Sequence, residues 1–345
     1  MICCEQLWTN RSKINSVGRS GFFGCFSQTQ RNEQYHFCHR VRNCVRTGCL
    51  SGRQSLVYVG LMIFTCGPAI ATEPQRLTRD GALKLSPVFT HKGAGVIFSM
   101  HREPNQVSLM QMRLSDANQE RLDTSLVAHQ FDADVTADGR YLCFVLTYTS
   151  PQSILVIRDL KDGTETRFIP QEARGTVRSP KISPDQRSVV LTLSDPGGQQ
   201  IATVDMKGAS LRRLTQTVGT NAWPAISPDG RHIAFSSSRD GNFQIYIMNL
   251  DGSGVRQLTN HPLRNIRPTW SPDGQRIAFT SARDGNLEIY VVRSDGTNLQ
   301  RLTDHPERDD FPAWHPDGKR LLIVSEREGD SDLYIIESDS EDVGQ

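Results

Sequence analysis

The chain has 345 residues, with 39 Lys+Arg against 38 Asp+Glu, 37% apolar residues and 22% charged ones. Those proportions describe a globular chain rather than a disordered one, long enough for two ordinary domains or one large all-β domain. The near-neutral total hides a split: residues 1–71 hold 8 basic and 2 acidic side chains, which leaves 31 basic and 36 acidic in residues 72–345. An acidic body excludes docking on a nucleic-acid backbone, which needs a clustered basic face.

The cysteines divide in the same way. Cys3, Cys4, Cys25, Cys38, Cys44 and Cys49 precede the one markedly apolar run, Cys66 lies within it, and Cys143 stands alone in the body. The group His36, Cys38, His39, Cys44 and Cys49 can be drawn as a zinc site, but nothing around it would build a core. Arg46 and Arg53 precede the run Leu56-Val-Tyr-Val-Gly-Leu-Met-Ile-Phe-Thr-Cys66, and Ala69-Ile-Ala71 follows it. A basic segment, a short apolar segment and small residues at a cut site form the order of a secretory signal peptide. The run falls short of the ~20 residues that span a bilayer. Residues 1–71 are therefore expected to be a leader and signal peptide, removed before Thr72. The working part is residues 72–345, soluble, monomeric, and periplasmic or secreted.

Six repeats follow in chain order. Thr90-His-Lys-Gly93, Thr136-Ala-Asp-Gly139, Ser183-Pro-Asp185, Ser227-Pro-Asp-Gly230, Ser271-Pro-Asp-Gly274 and His315-Pro-Asp-Gly318 mark units one to six, the last four at intervals of 44 residues. A fixed period of this size is the signature of a repeat architecture. Within unit five, Pro268-Thr-Trp270 reads as a short strand. Ser at i, Pro at i+1 and Gly at i+3 then make Ser271-Pro-Asp-Gly274 a type I turn. Arg276-Ile-Ala-Phe-Thr-Ser281 is the second strand, Leu287-Glu-Ile-Tyr-Val-Val292 the third and Leu299-Gln-Arg-Leu-Thr303 the fourth. Ile277-Ala-Phe279 and Ile289-Tyr-Val-Val292 are apolar on both faces, which suits a small antiparallel sheet stacked between two others. The expected fold is all-β, a six-bladed propeller of four-stranded antiparallel blades.

Units one to five each end in an outer strand: Glu120-Arg-Leu122, Arg167-Phe-Ile169, Arg213-Leu-Thr215, Gln257-Leu-Thr259 and Arg301-Leu-Thr303. Unit six has none, because Glu337-Ser-Asp-Ser-Glu-Asp342 is too acidic. The missing strand stands ahead of unit one as Gln75-Arg-Leu-Thr78. Residues 75–78 are expected to complete the last blade and so close the ring, which would otherwise leave an open edge.

Trp270-Ser-Pro-Asp-Gly, Ile277-Ala-Phe-Thr-Ser, Ile289-Tyr-Val and Arg301-Leu-Thr resemble the WD40-like Pro-Asp repeats of the TolB propeller family. The match is strongest from Leu214 onward. That resemblance implies a non-enzymatic periplasmic scaffold that docks an envelope protein, of the peptidoglycan-associated lipoprotein kind, at the mouth of the central channel. The smaller α/β domain that precedes the propeller in TolB is expected to be lacking, since unit one begins so soon after Ala71. A third reading is a purely structural module of a larger secreted assembly. Related repeats in metal-dependent polysaccharide lyases imply another alternative, a lyase or hydrolase acting at the same mouth.

Chemistry-bearing motifs are few. There is no Gly-x-Ser-x-Gly elbow, P-loop, His-Glu-x-x-His pair or dinucleotide fingerprint, so no catalytic residue and no cofactor is expected. Asp240-Gly, Asp284-Gly, Asp251-Gly and Asp295-Gly suit calcium less than they suit hairpin turns that demand positive φ. His261 and His305 hold equivalent places one blade apart and are the metal candidates of the body. Cys143 is expected to be a small buried hydrophobe.

Alignment of the entry to each inner strand gives the candidate partner-binding residues. The paired positions are Leu85-Ser86, Phe131-Asp132, Arg178-Ser179, Ala222-Trp223, Ile266-Arg267 and Asp310-Phe311. Framework positions repeat from unit to unit, whereas these pairs differ in every one. Asp132, Arg178, Trp223, Arg267, Asp310 and Phe311 combine aromatics, arginine and charge, the composition of a binding hot spot. The charged members are expected to be rim residues whose reversal costs little stability.

Overall fold

The computed structural model describes residues 73–338, apart from 104–105, 124–127, 149–151, 171–174 and 196–197. The proposed leader and its cut site lie outside the described residues. Six four-stranded antiparallel sheets form a six-bladed propeller, and one 3-10 turn at His91–Gly93 is the helical content among the described residues.

Blade 5 shows how sequence becomes blade. Its strands are Asn265–Trp270, Arg276–Ser281, Glu288–Arg293 and Gln300–Arg301. The Ser271 turn closes through Gly274 N–H to the Ser271 carbonyl at 2.9 Å. Asp273 fixes it by accepting the Gln275 N–H at 3.0 Å and the Ser271 hydroxyl. Gly285 and Gly296 stand at φ 98° and 93°, which a Cβ would strain. Asp240 and Asp284 accept the hydroxyls of Tyr246 and Tyr290, a turn-fixing role that agrees with the hairpin reading.

The two apolar faces of each blade serve different neighbours. Ile277, Phe279, Tyr290 and Val292 pack against Ala225, Ile245 and Ile247 of blade 4. Ala278, Ile289 and Val291 pack against Trp314, Leu321 and Ile323 of blade 6. Six such clusters occur, one at every interface around the ring. Each fully buried aliphatic or aromatic side chain there contributes about 1.5–3 kcal/mol.

A polar tie accompanies each apolar interface in the better-matched units. Gln244, opening the third strand of blade 4, accepts the Thr259 hydroxyl at 3.0 Å and the Asn265 side-chain amide of blade 5 at 2.7 Å. Gln200, Thr215 and Asn221 repeat it one blade earlier. At the ring closure the same places hold Asp332, Thr78 and Lys84. Asp332 accepts from Thr78 Oγ1 at 2.5 Å and from Lys84 Nζ at 3.0 Å.

The closing strand is the one that the sequence pattern predicts. Gln75–Arg76 pairs antiparallel with Asp332–Glu337 in the register Gln75↔Ile335 and Arg76↔Tyr334. Leu77 adds an N–H bond to the Leu333 carbonyl at 2.8 Å and packs half-buried on the core between blades 6 and 1. Cys143 is fully buried, and burial pushes its thiol well up.

Candidate functional site

One irregularity, repeated six times, shapes the channel. In every blade the inner strand slips register against the second strand. The residue at each slip takes a left-handed φ: Ser86 48°, Asp132 52°, Ser179 49°, Trp223 53°, Arg267 56° and Phe311 55°. None is glycine, so each costs on the order of 1–3 kcal/mol. Five of them precede proline, which is tolerated because a bulge on an edge strand has no ladder N–H to supply. The bulges turn the six side chains into a common cavity of about 470 Å³, shared with Asp134, Lys181 and the prolines that follow the bulges.

Hydroxyls of the preceding blade hold the bulges in place. Ser99 accepts the Asp132 N–H at 3.3 Å, Thr192 that of Trp223 at 3.2 Å and Ser236 that of Arg267 at 3.1 Å. A backbone clamped from behind presents its side chains without further ordering cost.

On one side of the channel, Arg267 lies between two rings, its Cζ 5.0 Å from the Trp223 centroid and 4.1 Å from that of Phe311. Its Nη1 reaches both carboxylate oxygens of Asp310 at 3.1 Å. Desolvation draws the guanidinium below its ordinary value, against the pull of Asp310. Its Nε is buried with no hydrogen-bond partner. On the other side, Asp132 accepts from Ser86 Oγ at 2.9 Å, Arg178 Nε at 2.7 Å and the Ser179 N–H at 3.0 Å. Burial works to raise its pKa, but the charge and hydrogen bond of Arg178, with the Ser179 N–H and Ser86 hydroxyl, bring it below the usual carboxylate range. Lys181 Nζ meets Asp134 Oδ1 at 3.0 Å beside it.

The paired positions split into two roles. Asp132, Trp223, Arg267 and Phe311, each second in its pair, line the channel. Arg178, first in its pair, is 45% exposed and covers Phe131 at 4.9 Å. Asp310 departs from the expectation of a freely reversible rim charge. It is fully buried, and besides Arg267 it accepts from Thr280 Oγ1 at 2.9 Å and Arg308 Nη2 at 3.0 Å. The inner-strand pleat, which sends alternate residues to opposite sides, puts it behind the channel wall, where it positions Arg267. The sequence alignment placed Ser86 and Ser179 among the aligned pairs without choosing them as binding residues, and it did not point to Asp134 or Lys181. The recurring proline after the bulge was the available signal for the first two.

His261 and His305 turn inward on their own loops. Each Nδ1 accepts a backbone N–H two residues on, from Leu263 and Glu307 respectively, at 3.1 Å. Among the described residues no group of three or more His, Cys, Asp or Glu is placed to hold a metal ion. No helix among them is long and apolar enough to cross a membrane.

A family model described as the TolB beta propeller domain matches residues 130–267 and 255–345. A putative TolB from Agrobacterium tumefaciens is 27% identical, with a TM-score of 0.53 over 60% of this chain and 73% of that one. TolB from Acinetobacter baumannii is 20% identical, with a TM-score of 0.59 over 72% of this chain and 64% of its own length. Oligogalacturonate lyase from Vibrio parahaemolyticus is 16% identical, with a TM-score of 0.52 over 77% and 93%. The last two share the fold alone.

Proposed function

Because this chain belongs to the TolB β-propeller family, we propose that it is a protein-docking scaffold of the cell envelope. Its residues 72–345 act in the periplasm after removal of the leader, and an extended segment of an envelope protein, of the peptidoglycan-associated lipoprotein kind, enters the channel mouth. The observation that carries this reading is the set of six strained bulges aimed into one cavity. Strain that recurs in every blade, at positions whose side chains run through serine, aspartate, tryptophan, arginine and phenylalanine, supports an arrangement around a ligand.

The chemistry of the mouth supports a peptide occupant. Trp223 and Phe311 offer apolar surface for a side chain, and the partly exposed Arg267 guanidinium offers a positive charge to a carbonyl or carboxylate. Asp132 and Lys181 present opposite charges across from it, which sets orientation more than affinity. Capture of partners from solubilised envelope on residues 72–345, with and without chelator, tests the reading. One envelope protein held regardless of chelator supports it. Metal-dependent turnover of an acidic glycan would overturn it in favour of a lyase.

A further inference from the structure

At the end of the ring that carries the Ser-Pro-Asp-Gly turns, the interface between blades 5 and 6 holds an arrangement that the interface between blades 4 and 5 lacks. Between blades 5 and 6, Arg276 opens the second strand and lies over Trp314, Cζ 4.7 Å from the ring centroid. Its Nη2 donates to the Gly318 carbonyl at 2.9 Å. Burial acts to raise the pKa of Asp273 beside it, but the Ser271 hydroxyl, the Gln275 N–H and the Arg276 charge hold that carboxyl below its ordinary value. A guanidinium thus sits on an aromatic face, under a turn carbonyl, next to the aspartate of the turn.

One blade earlier the same three positions are His232, Trp270 and Gly274. Imidazole is too short to reach as arginine does. The His232 and Trp270 ring centroids are 6.5 Å apart, and a cavity of about 490 Å³ lies there, lined by Asp229, His232, Trp270, Asp273, Gly274 and Arg256 among others. The Trp270 ring is fixed by its indole N–H, which donates to the Ala225 carbonyl at 3.1 Å. Arg256 is turned aside, with Nη2 on the Ser294 carbonyl. Asp229 and Asp273, the latter shared with Arg276, thus face an aromatic ring with Arg256 as the one guanidinium lining the cavity, and that one is committed elsewhere, a setting in which a cation is attracted. The volume exceeds that of a guanidinium and leaves room for its aliphatic stem.

We propose that this cavity between blades 4 and 5 is a guanidinium-binding site, which takes the arginine side chain of a peptide over Trp270 and beside Asp229 and Asp273. The molecule makes the same contact with itself at the next interface through Arg276. The site adjoins the channel cavity, with Pro228, Trp270 and Pro272 lining both, but it is built on different polar groups and does not depend on the docking reading.

The test follows the Trp270 indole N–H resonance by NMR during titration of residues 72–345 with a blocked Gly-Arg-Gly peptide, its citrulline counterpart and free L-arginine. The expected result is a saturable shift with the arginine peptide and at least tenfold weaker binding of the neutral citrulline peptide. His232→Arg should abolish that binding and melt no lower than the native chain, since it supplies the guanidinium from within. Trp223→Ala, at the channel mouth, should leave the titration unchanged. Equal binding of the citrulline peptide, or undiminished binding by a folded His232→Arg protein, would overturn the site. Tighter binding of free L-arginine than of the peptide would overturn the peptide as its occupant.

Discussion

Asp332 is the residue on which the closure of the ring turns, and Asp332→Ala is the substitution that measures it. Its carboxylate is fully buried and accepts from Thr78 Oγ1 at 2.5 Å, Lys84 Nζ at 3.0 Å and Arg76 Nη2 at 2.6 Å. Alanine removes the acceptor for the closing strand and leaves the fully buried Lys84 with Asp80 and the carbonyls of Ala82 and Ser331. Breaking one side of a buried ion pair costs about 3–5 kcal/mol. For a domain of this size that lowers Tm by roughly 6–20 °C. The stranded ammonium accounts for part of the loss, so Lys84→Met added to Asp332→Ala should fall short of additivity by more than about 1 kcal/mol. Urea and thermal unfolding of the single and double variants give the cycle. A single variant within about 1 kcal/mol of native, or strictly additive changes, would refute the reasoning.

Other outcomes follow from the site. Trp223→Ala should weaken capture of the envelope partner by about 2 kcal/mol, near 30-fold, as expected of a central aromatic anchor, with Tm nearly unchanged; affinity by calorimetry checks it. Asp310→Lys buries a lysine against Arg267 and Arg308 and should cost about 3–5 kcal/mol by denaturant unfolding, whereas Arg113→Ala, in the exposed pair with Asp116, should cost under about 1 kcal/mol. Burial acts to raise the Asp317 pKa, yet the Lys319 N–H, Arg320 and the His315 charge hold it at about 2. Its stabilising effect is thus present above the unfolded value near 3.9 and lost as pH falls toward 2. Asp317→Asn should lower Tm at pH 7, and the gap to native should close between pH 4 and 2. N-terminal sequencing of the extracytoplasmic protein should begin at Thr72.

The blades were legible because their signals are local and repeated. The Ser-Pro-Asp-Gly turns, the Asp-Gly hairpins and the apolar runs each state their structure within six residues, and 44-residue spacing aligns them. Even the long-range pairing of residues 75–78 with blade 6 could be read, since a repeat lacking its last strand must find it elsewhere. The channel was half legible. Alignment found the pairs that enter it but could not tell which member faces inward, because the bulge shifts the pleat by one residue. That shift buries Asp310 and exposes Arg267 and Phe311 to the channel. The cavity beside Trp270 had no sequence signal of its own and emerges when His232 is compared with Arg276 in three dimensions.

The most direct test of docking at the channel mouth places a photoreactive phenylalanine analogue at position 223 of the full chain and irradiates intact cells. The account predicts one crosslinked envelope protein, lost when Arg267→Glu is added and absent when the analogue stands instead at Val218, 91% exposed on the connection between blades 3 and 4. An adduct from position 218 and none from position 223, or an adduct at 223 indifferent to Arg267→Glu, would contradict it.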